Sequence, residues 1–231
     1  MLGAKTVKSG AYRVVFKNTA MADILGTFSG AFTGEQVCKG LSMLEGKEGQ
    51  EIAGAKVSIR DDALLEGGPA SAVFDGEGVP CKNKAVVENG VLKTLLYDLK
   101  YAAKCGKEST GNGFRSGYRS QVFCAPSNFY IVPSEKSVEN VIADAKEGLY
   151  ITDVEGLHAG ANTVSGDFSL SAMGYRIENG RLGAPVEQIT VAANFFELLK
   201  NIEDVASDLR FNMGGSGSPA VTVKNISVSG S

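Results

Sequence analysis

The side chains that could do chemistry are few, and they gather in one stretch. The chain has a single histidine, His158, within Glu155–Ser169, a small, polar, glycine-punctuated segment that also carries Asn162, Ser165 and Asp167. An imidazole near a serine and an aspartate could make a nucleophile, a base and an orienting carboxylate. That relay is a spatial arrangement which spacing does not establish, and no Gly-x-Ser-x-Gly elbow accompanies it. A lone histidine is more often a hydrogen-bonded structural residue. With one histidine, every two-histidine zinc motif of the His-Glu-x-x-His type is excluded. The acidic pairs Asp61/Asp62 and Asp75/Glu77 lie in turn-like text and read as solvated loop charge or caps rather than metal ligands. Gly111–Gly117 has one residue too many for a dinucleotide loop. Gly40–Lys47 misses the P-loop spacing, with Glu48 where a hydroxyl is required, so both read as turn glycines.

Composition narrows the classes further. The chain has 231 residues, with 23 Lys+Arg against 26 Asp+Glu and a net charge of −3, so no basic excess offers a grip on nucleic acid. Hydrophobic residues make up 43%, enough for one sizeable core. Cys38, Cys81, Cys105 and Cys124 show no Cys-x-x-Cys spacing and are too sparse for a disulfide scaffold, so free thiols in a reducing compartment are expected. The N-terminal residues lack an apolar signal region. The longest uncharged stretch, Ser120–Ser134, is interrupted by Pro126 and Pro133, whereas a spanning helix needs about 20 apolar residues. A soluble, cytoplasmic chain with no membrane and no nucleic-acid partner is the expectation.

The elements that must position these residues are mostly strands and turns. Tyr12–Phe16 reads as a strand. Asn18 offers an N-cap for a helix through Met21, Ile24, Leu25 and Phe28. Gly40–Gly54 reads as loop, and Ala55–Arg60 as a strand closed by Asp61-Asp62. Asn89-Gly90 and Asn179-Gly180, each between apolar runs, predict tight hairpins, because both residue types tolerate positive φ. Asp98 caps a short helix that ends at Gly106. Ser137 opens a helix through Val138, Val141, Ile142 and Ala145, with Gly148 just past its end. Leu149–Thr152 reads as a strand. Asn194 caps a helix through Leu198, Leu199 and Ile202, and Ala220–Val223 reads as a closing strand. Hairpins with isolated helices and no βαβ alternation give α+β: mostly antiparallel sheet, barrel-like or sandwich, with a few short helices. In this setting Glu155–Ser169 joins two strands, and its sheet edge could pair with an extended peptide or another subunit.

Several blocks then converge on a known family. Val37–Ser42, Phe74–Pro80, Ser109–Asn112, Asn162–Ser169, Ile177–Gly180 and Pro185–Ala192 occur in order through nearly the whole chain. Together they resemble the TldD/PmbA family, whose members are often labelled modulators of DNA gyrase. The resemblance is to the C-terminal half of the PmbA (TldE) branch. It implies that residues 1–231 are a single C-terminal domain, that the family's N-terminal domain is missing from this chain, and that the chain is a fragment of a longer protein. It also implies a cytoplasmic proteolytic complex in which a TldD-type partner binds zinc through a His-Glu-x-x-x-His helix and a late cysteine. This chain departs at those positions. Leu25–Gly30 holds neither histidine nor glutamate, and the stretch around Phe211–Gly214 holds no cysteine. Zinc is therefore expected only in the partner, with no cofactor, metal ligand or catalytic residue in this chain.

The leading expectation is a non-catalytic subunit that binds a TldD-type metalloprotease chain and unfolded peptide. His158, Asn162, Ser165 and Asp167 are its groove candidates, and a homodimer is the alternative assembly when the chain is isolated. A second reading is a regulator that binds DNA gyrase or another protein without proteolysis. A third is a self-sufficient hydrolase using His158.

Overall fold

The computed structural model describes residues 4–230. β1 (Gly10–Phe16) ends on Val14, Val15 and Phe16, all without solvent contact. α1 (Asn18–Phe28) follows and buries Met21, Ile24, Leu25 and Phe28 at helical spacing. Lys17 rather than Asn18 holds the N-cap position; the Asn18 amide reaches the carbonyl and carboxylate of Asp208 instead. A 3₁₀ turn over Ser29–Phe32 leads into α2 (Gly34–Cys38), where Thr33 Oγ1 accepts from Gln36 N. After a run of turns come β2 (Ile59–Asp62), β3 (Asn83–Glu88) and β4 (Val91–Leu92). The strand expected from Ala55 starts only at Ile59, because Val57 N bonds to Gly54 O and closes a turn. Asn89 and Gly90 adopt φ of 48° and 83°, as the hairpin requires.

α3 (Leu99–Cys105) is capped by Asp98, whose carboxylate accepts from Tyr101 N at 2.7 Å, and it stops at left-handed Gly106. β5 (Gly113–Phe114), β6 (Phe123–Cys124) and β7 (Phe129–Ile131) precede α4 (Val138–Ala145), which Ser137 caps. The chain turns after α4 at Lys146 (φ 60°, ψ −67°) rather than at Gly148, with Glu147 N donating to Ala145 O. Gly148 instead opens β8 (Gly148–Glu155), where a Cβ would lie 2.2 Å from Arg13 O. The chain continues through α5 (Leu157–Gly160), β9 (Asp167–Glu178), β10 (Arg181–Asn194), α6 (Phe195–Lys200) and β11 (Ile202–Val205). It ends on β12 (Arg210–Phe211), β13 (Ser216–Ser218) and β14 (Val221–Ser229).

The architecture is α+β, with mostly antiparallel strands. β1, β8, β9, β10 and β14 form a closed ring: β1 runs parallel to β8, and every other neighbour is antiparallel. Closure leaves these five strands no continuous free edge. One side of β14 serves two partners in succession, β11 against Val221–Val223 and β10 against Ser227–Ser229. A second, six-stranded sheet runs β12-β13-β7-β2-β3-β4. A shared core joins the two sheets. Phe28 of α1 stacks on Phe195 at 4.6 Å, and Phe32 meets both Phe129 and Phe195. Such ring pairs add about 0.5–1.5 kcal/mol each beyond their burial. No helix among the described residues is long and apolar enough to cross a membrane.

The thiol expectation is corrected. Cys38 and Cys105 form a disulfide, while Cys81 and Cys124 are free and buried. α2 and α3 pack against each other and each ends on a cysteine, so packing brings together sulfurs separated by 67 positions in sequence.

Candidate functional site

A cleft of ≈ 530 Å³ opens where α1 meets the turn between β12 and β13. Asp23, Gly26 and Thr27 occupy one face of α1 at spacings of three and four residues. Ser29, Ala125–Ser127, Leu157, the turn residues Asn212 and Gly214, and Ser216 at the start of β13 complete the lining. Asn212 Nδ2 donates to Asp23 Oδ1 at 2.9 Å, and its Oδ1 accepts from Gly214 N and Ser216 N. A Cβ on Gly26 would stand 2.9 Å from Ser216 Oγ, so the glycine is what lets β13 approach the helix. Gly215, at φ 83°, packs under Ser127 O in the same way.

The structure therefore brings together Leu25–Gly30 and Phe211–Gly214, the two segments where the resemblance would place zinc ligands. The groups present are one carboxylate, one amide and several hydroxyls. A tetrahedral zinc site draws on three or four cysteine, histidine or carboxylate ligands. Among the described residues no three such side chains come together. This donor set does not fit zinc. It supplies hydrogen-bond donors and acceptors in the form of an amide, hydroxyls and a carboxylate.

Three of the four groove candidates are joined to one another by hydrogen bonds. Asn162 Oδ1 accepts from Val164 N and Ser165 N. Ser165 Oγ donates to Asp167 Oδ2 at 2.8 Å, and Asn194 Nδ2 donates to Asp167 Oδ1 at 2.9 Å. These bonds from Asn194 and Ser165 hold the Asp167 carboxyl below the usual range. Asn194 also caps α6 through Phe196 N and Glu197 N, so one side chain locks both loop and helix. His158 stands exposed on α5, and none of the described hydrogen bonds links it to this group. Ser165 meets Asp167 directly, so no Ser-His-Asp relay is assembled. The edge of β9 here is covered by its own chain. Ala161 bridges to Phe168, Asn162 N donates to Asp167 O, and Gly160 lies tight over Ser169 O. What stays open is a shallow groove along Asn162, Thr163, Asp167 and Ser169.

A buried polar centre was not foreseen from the sequence. Asp61, Asp62 and Asp75 are buried, against the expectation of solvated loop charge. Asp61 accepts from Ser127 N, Ser127 Oγ and Asn112 Nδ2, and pairs with Lys84 at 3.0 Å. Asp75 accepts from Glu77 N, Val79 N and Gly113 N. Two of the family-like blocks, Phe74–Pro80 and Ser109–Asn112, thus flank one hydrogen-bonded centre; their co-occurrence was the only signal in the sequence. Cys124 is walled in by the same region, and burial pushes its thiol up to about 12.

Comparison with known proteins shows the family and the fold. Residues 9–230 match the PmbA/TldA metallopeptidase C-terminal domain family. A Thermotoga maritima protein described as a modulator of a DNA gyrase superposes with a TM-score of 0.92 at 44% identity, covering 98% of this chain and 51% of that one. TldE from Thermococcus kodakarensis superposes at 0.89 with 26% identity, covering 99% and 52%. A metalloprotease of Methanothermobacter thermautotrophicus is 35% identical over 206 residues, 84% of this chain and 44% of the relative. The chain spans about half the length of the relatives it matches.

Proposed function

We propose, from the premise that this chain belongs to the PmbA/TldA metallopeptidase C-terminal domain family, that it is a non-catalytic, peptide- and partner-binding part of a TldD-type zinc metalloprotease complex. The supporting observation is the cleft between α1 and the β12–β13 turn. It lies where Leu25–Gly30 and Phe211–Gly214 meet, and it offers Asp23, Thr27, Asn212 and Ser216 in place of a zinc donor set. The chemistry then belongs to the partner chain, and this cleft contributes hydrogen-bonding wall. A cytoplasmic location rests on the family alone, because the Cys38–Cys105 bond removes the thiol argument for a reducing compartment.

The test is reconstitution. The full-length protein is mixed with a TldD-type chain from the same source, and mass and zinc content are read by native mass spectrometry alongside cleavage of an unfolded peptide. A mixed complex with zinc on the partner, active only when both chains are present, is the expected result. Stoichiometric zinc and peptide cleavage by this protein alone would overturn the reading.

One observation favours a second reading: the Thermotoga relative at 44% identity carries the gyrase-modulator description. With a net charge of −3, a contact with gyrase would be protein to protein rather than through DNA. A change in supercoiling rate on adding the protein to purified gyrase would favour it over the protease reading.

A further inference from the structure

On another part of the molecule, a pocket of ≈ 410 Å³ lies between the start of β3, the residues that follow β4, and the chain that leaves α3. Its lining includes Lys82, Lys84, Lys93, Lys107 and Tyr97. We propose that this pocket is a binding site for a small, multiply charged oxyanion, a phosphate or a polycarboxylate, held by these lysines and the Tyr97 hydroxyl.

Tyr97 is the first argument. The residue is 3% exposed, and its main chain is clamped: N donates to Thr110 Oγ1 at 2.7 Å, and O accepts from Thr110 N. Its ring lies against Gly34, where a Cβ would come within 2.2 Å of two ring carbons. The ring is therefore fixed where it lines the pocket, and its phenol feels the charges of Glu48 and Lys107 in the same lining. Burial and the charge of Glu48 push this phenol up, and Lys107 draws it part of the way back, so it stays protonated at neutral pH and can donate.

The lysines are the second argument. Lys84 is nine-tenths buried at its side chain (8% exposed), a costly position for an ammonium. Its Nζ pairs with Asp61 and donates to Thr110 O at 3.0 Å, which fixes a positive charge in the pocket lining. Lys93 pairs with Glu88 at 3.4 Å and Lys107 with Glu48 at 2.6 Å, both in exposed pairs that hold weakly. Lys82 makes no ion pair with any described residue. Glu48 and Glu108 are the carboxylates in the lining. A dense oxyanion would exchange weak surface pairs for several charge-assisted hydrogen bonds at once. The volume suits a small molecule rather than a folded partner.

The experiment titrates inorganic phosphate, and separately citrate, into the chain by calorimetry, with ionic strength held constant by sodium chloride. Saturable binding of either anion is expected, and which one binds identifies the oxyanion class. The Lys82→Ala/Lys93→Ala double variant should bind about tenfold or more weakly, as two charge-assisted contacts are lost. Tyr97→Phe, which keeps the ring, should bind about three- to tenfold more weakly, the loss of one hydrogen bond. The remote Lys200→Ala should bind as the wild type does. Absence of saturable heat with both anions, or equal affinity in the wild type and the double variant, would overturn the proposal. Melting curves of each variant confirm that it is folded before titration.

Discussion

Asn212 reaches across a cleft to Asp23, its Nδ2 donating to the carboxylate at 2.9 Å, and so ties the β12–β13 turn to a helix 189 positions earlier. The contact exists because Gly26, one turn along the same face of α1, lets Ser216 come close. Gly26→Ala should therefore destabilise the chain by about 1–3 kcal/mol through overpacking, despite alanine's better helix propensity. Urea denaturation reads the effect as a lower midpoint at unchanged slope. A midpoint at or above the wild-type value would show that the turn shifts at no cost.

Asp61 should be the most sensitive polar position. Removing its carboxylate leaves Lys84 buried without its counter-charge and frees Asn112 and Ser127 from their acceptor. Asp61→Ala should cost about 3–5 kcal/mol, as breaking one side of a buried pair does. Arg60, beside it in sequence but bonded only at the surface to Asn83, should tolerate Ala within about 0.5 kcal/mol. Similar losses at both positions would contradict the buried-centre account.

Thiol counting gives a direct check on the disulfide. With Cys38 bonded to Cys105 and both Cys81 and Cys124 buried, the native chain should react with almost no Ellman reagent. Denaturation without reductant should expose two thiols, Cys81 and Cys124. Reductant should lower stability by about 2–4 kcal/mol, the usual contribution of a bond closing a long loop, and a Cys38→Ser/Cys105→Ser variant should show no response to it. Four reactive thiols in the unreduced denatured chain would remove the bond from the structure.

The acid limb of stability should follow carboxylates such as Asp204 and Glu35. Burial alone would raise Asp204, but hydrogen bonds and charge from Lys136 and Lys56 outweigh it and hold it below the usual range. At Glu35 burial is likewise outweighed, by Lys39 and by the Cys124 backbone N–H. A carboxyl depressed in the folded state contributes stability that is complete above its unfolded pKa, about 4, and is lost as pH falls through the lower folded value. The urea midpoint should thus be level between about pH 7 and 5 and decline below about 4. Asp204→Asn should lower the plateau and shallow the decline. An unchanged acid limb in that variant would assign the decline to other groups.

Local features were legible in the sequence because they depend on a few neighbouring residues. Asn89-Gly90 and Asn179-Gly180 turn where their tolerance of positive φ allows. Asp98, Ser137 and Asn194 cap the helices they precede. The single histidine excludes a two-histidine metal motif whatever the fold, and the ordered blocks carry the family. Local reading failed where a neighbour from elsewhere intervened: Asp208 drew Asn18 away from its cap, and the close approach of Arg13 O kept Gly148 in a strand.

Only the tertiary structure decided the rest. The expected closing strand was readable as a strand, but not that β14 would seal a ring with β1 and β10. Asp61 looked like a solvated turn residue until Ser127, Asn112 and Lys84 converged on it. His158, Asn162, Ser165 and Asp167 share one segment of sequence, but Asn194, which locks Ser165 and Asp167, lies in a different element. The Cys38–Cys105 bond and the Asp23–Asn212 contact likewise join residues far apart in the chain. Turns and caps leave periodic or compositional marks because their partners sit within one or two turns of backbone. Pairings across the fold leave none, because they are set by how whole sheets and helices pack around a shared core.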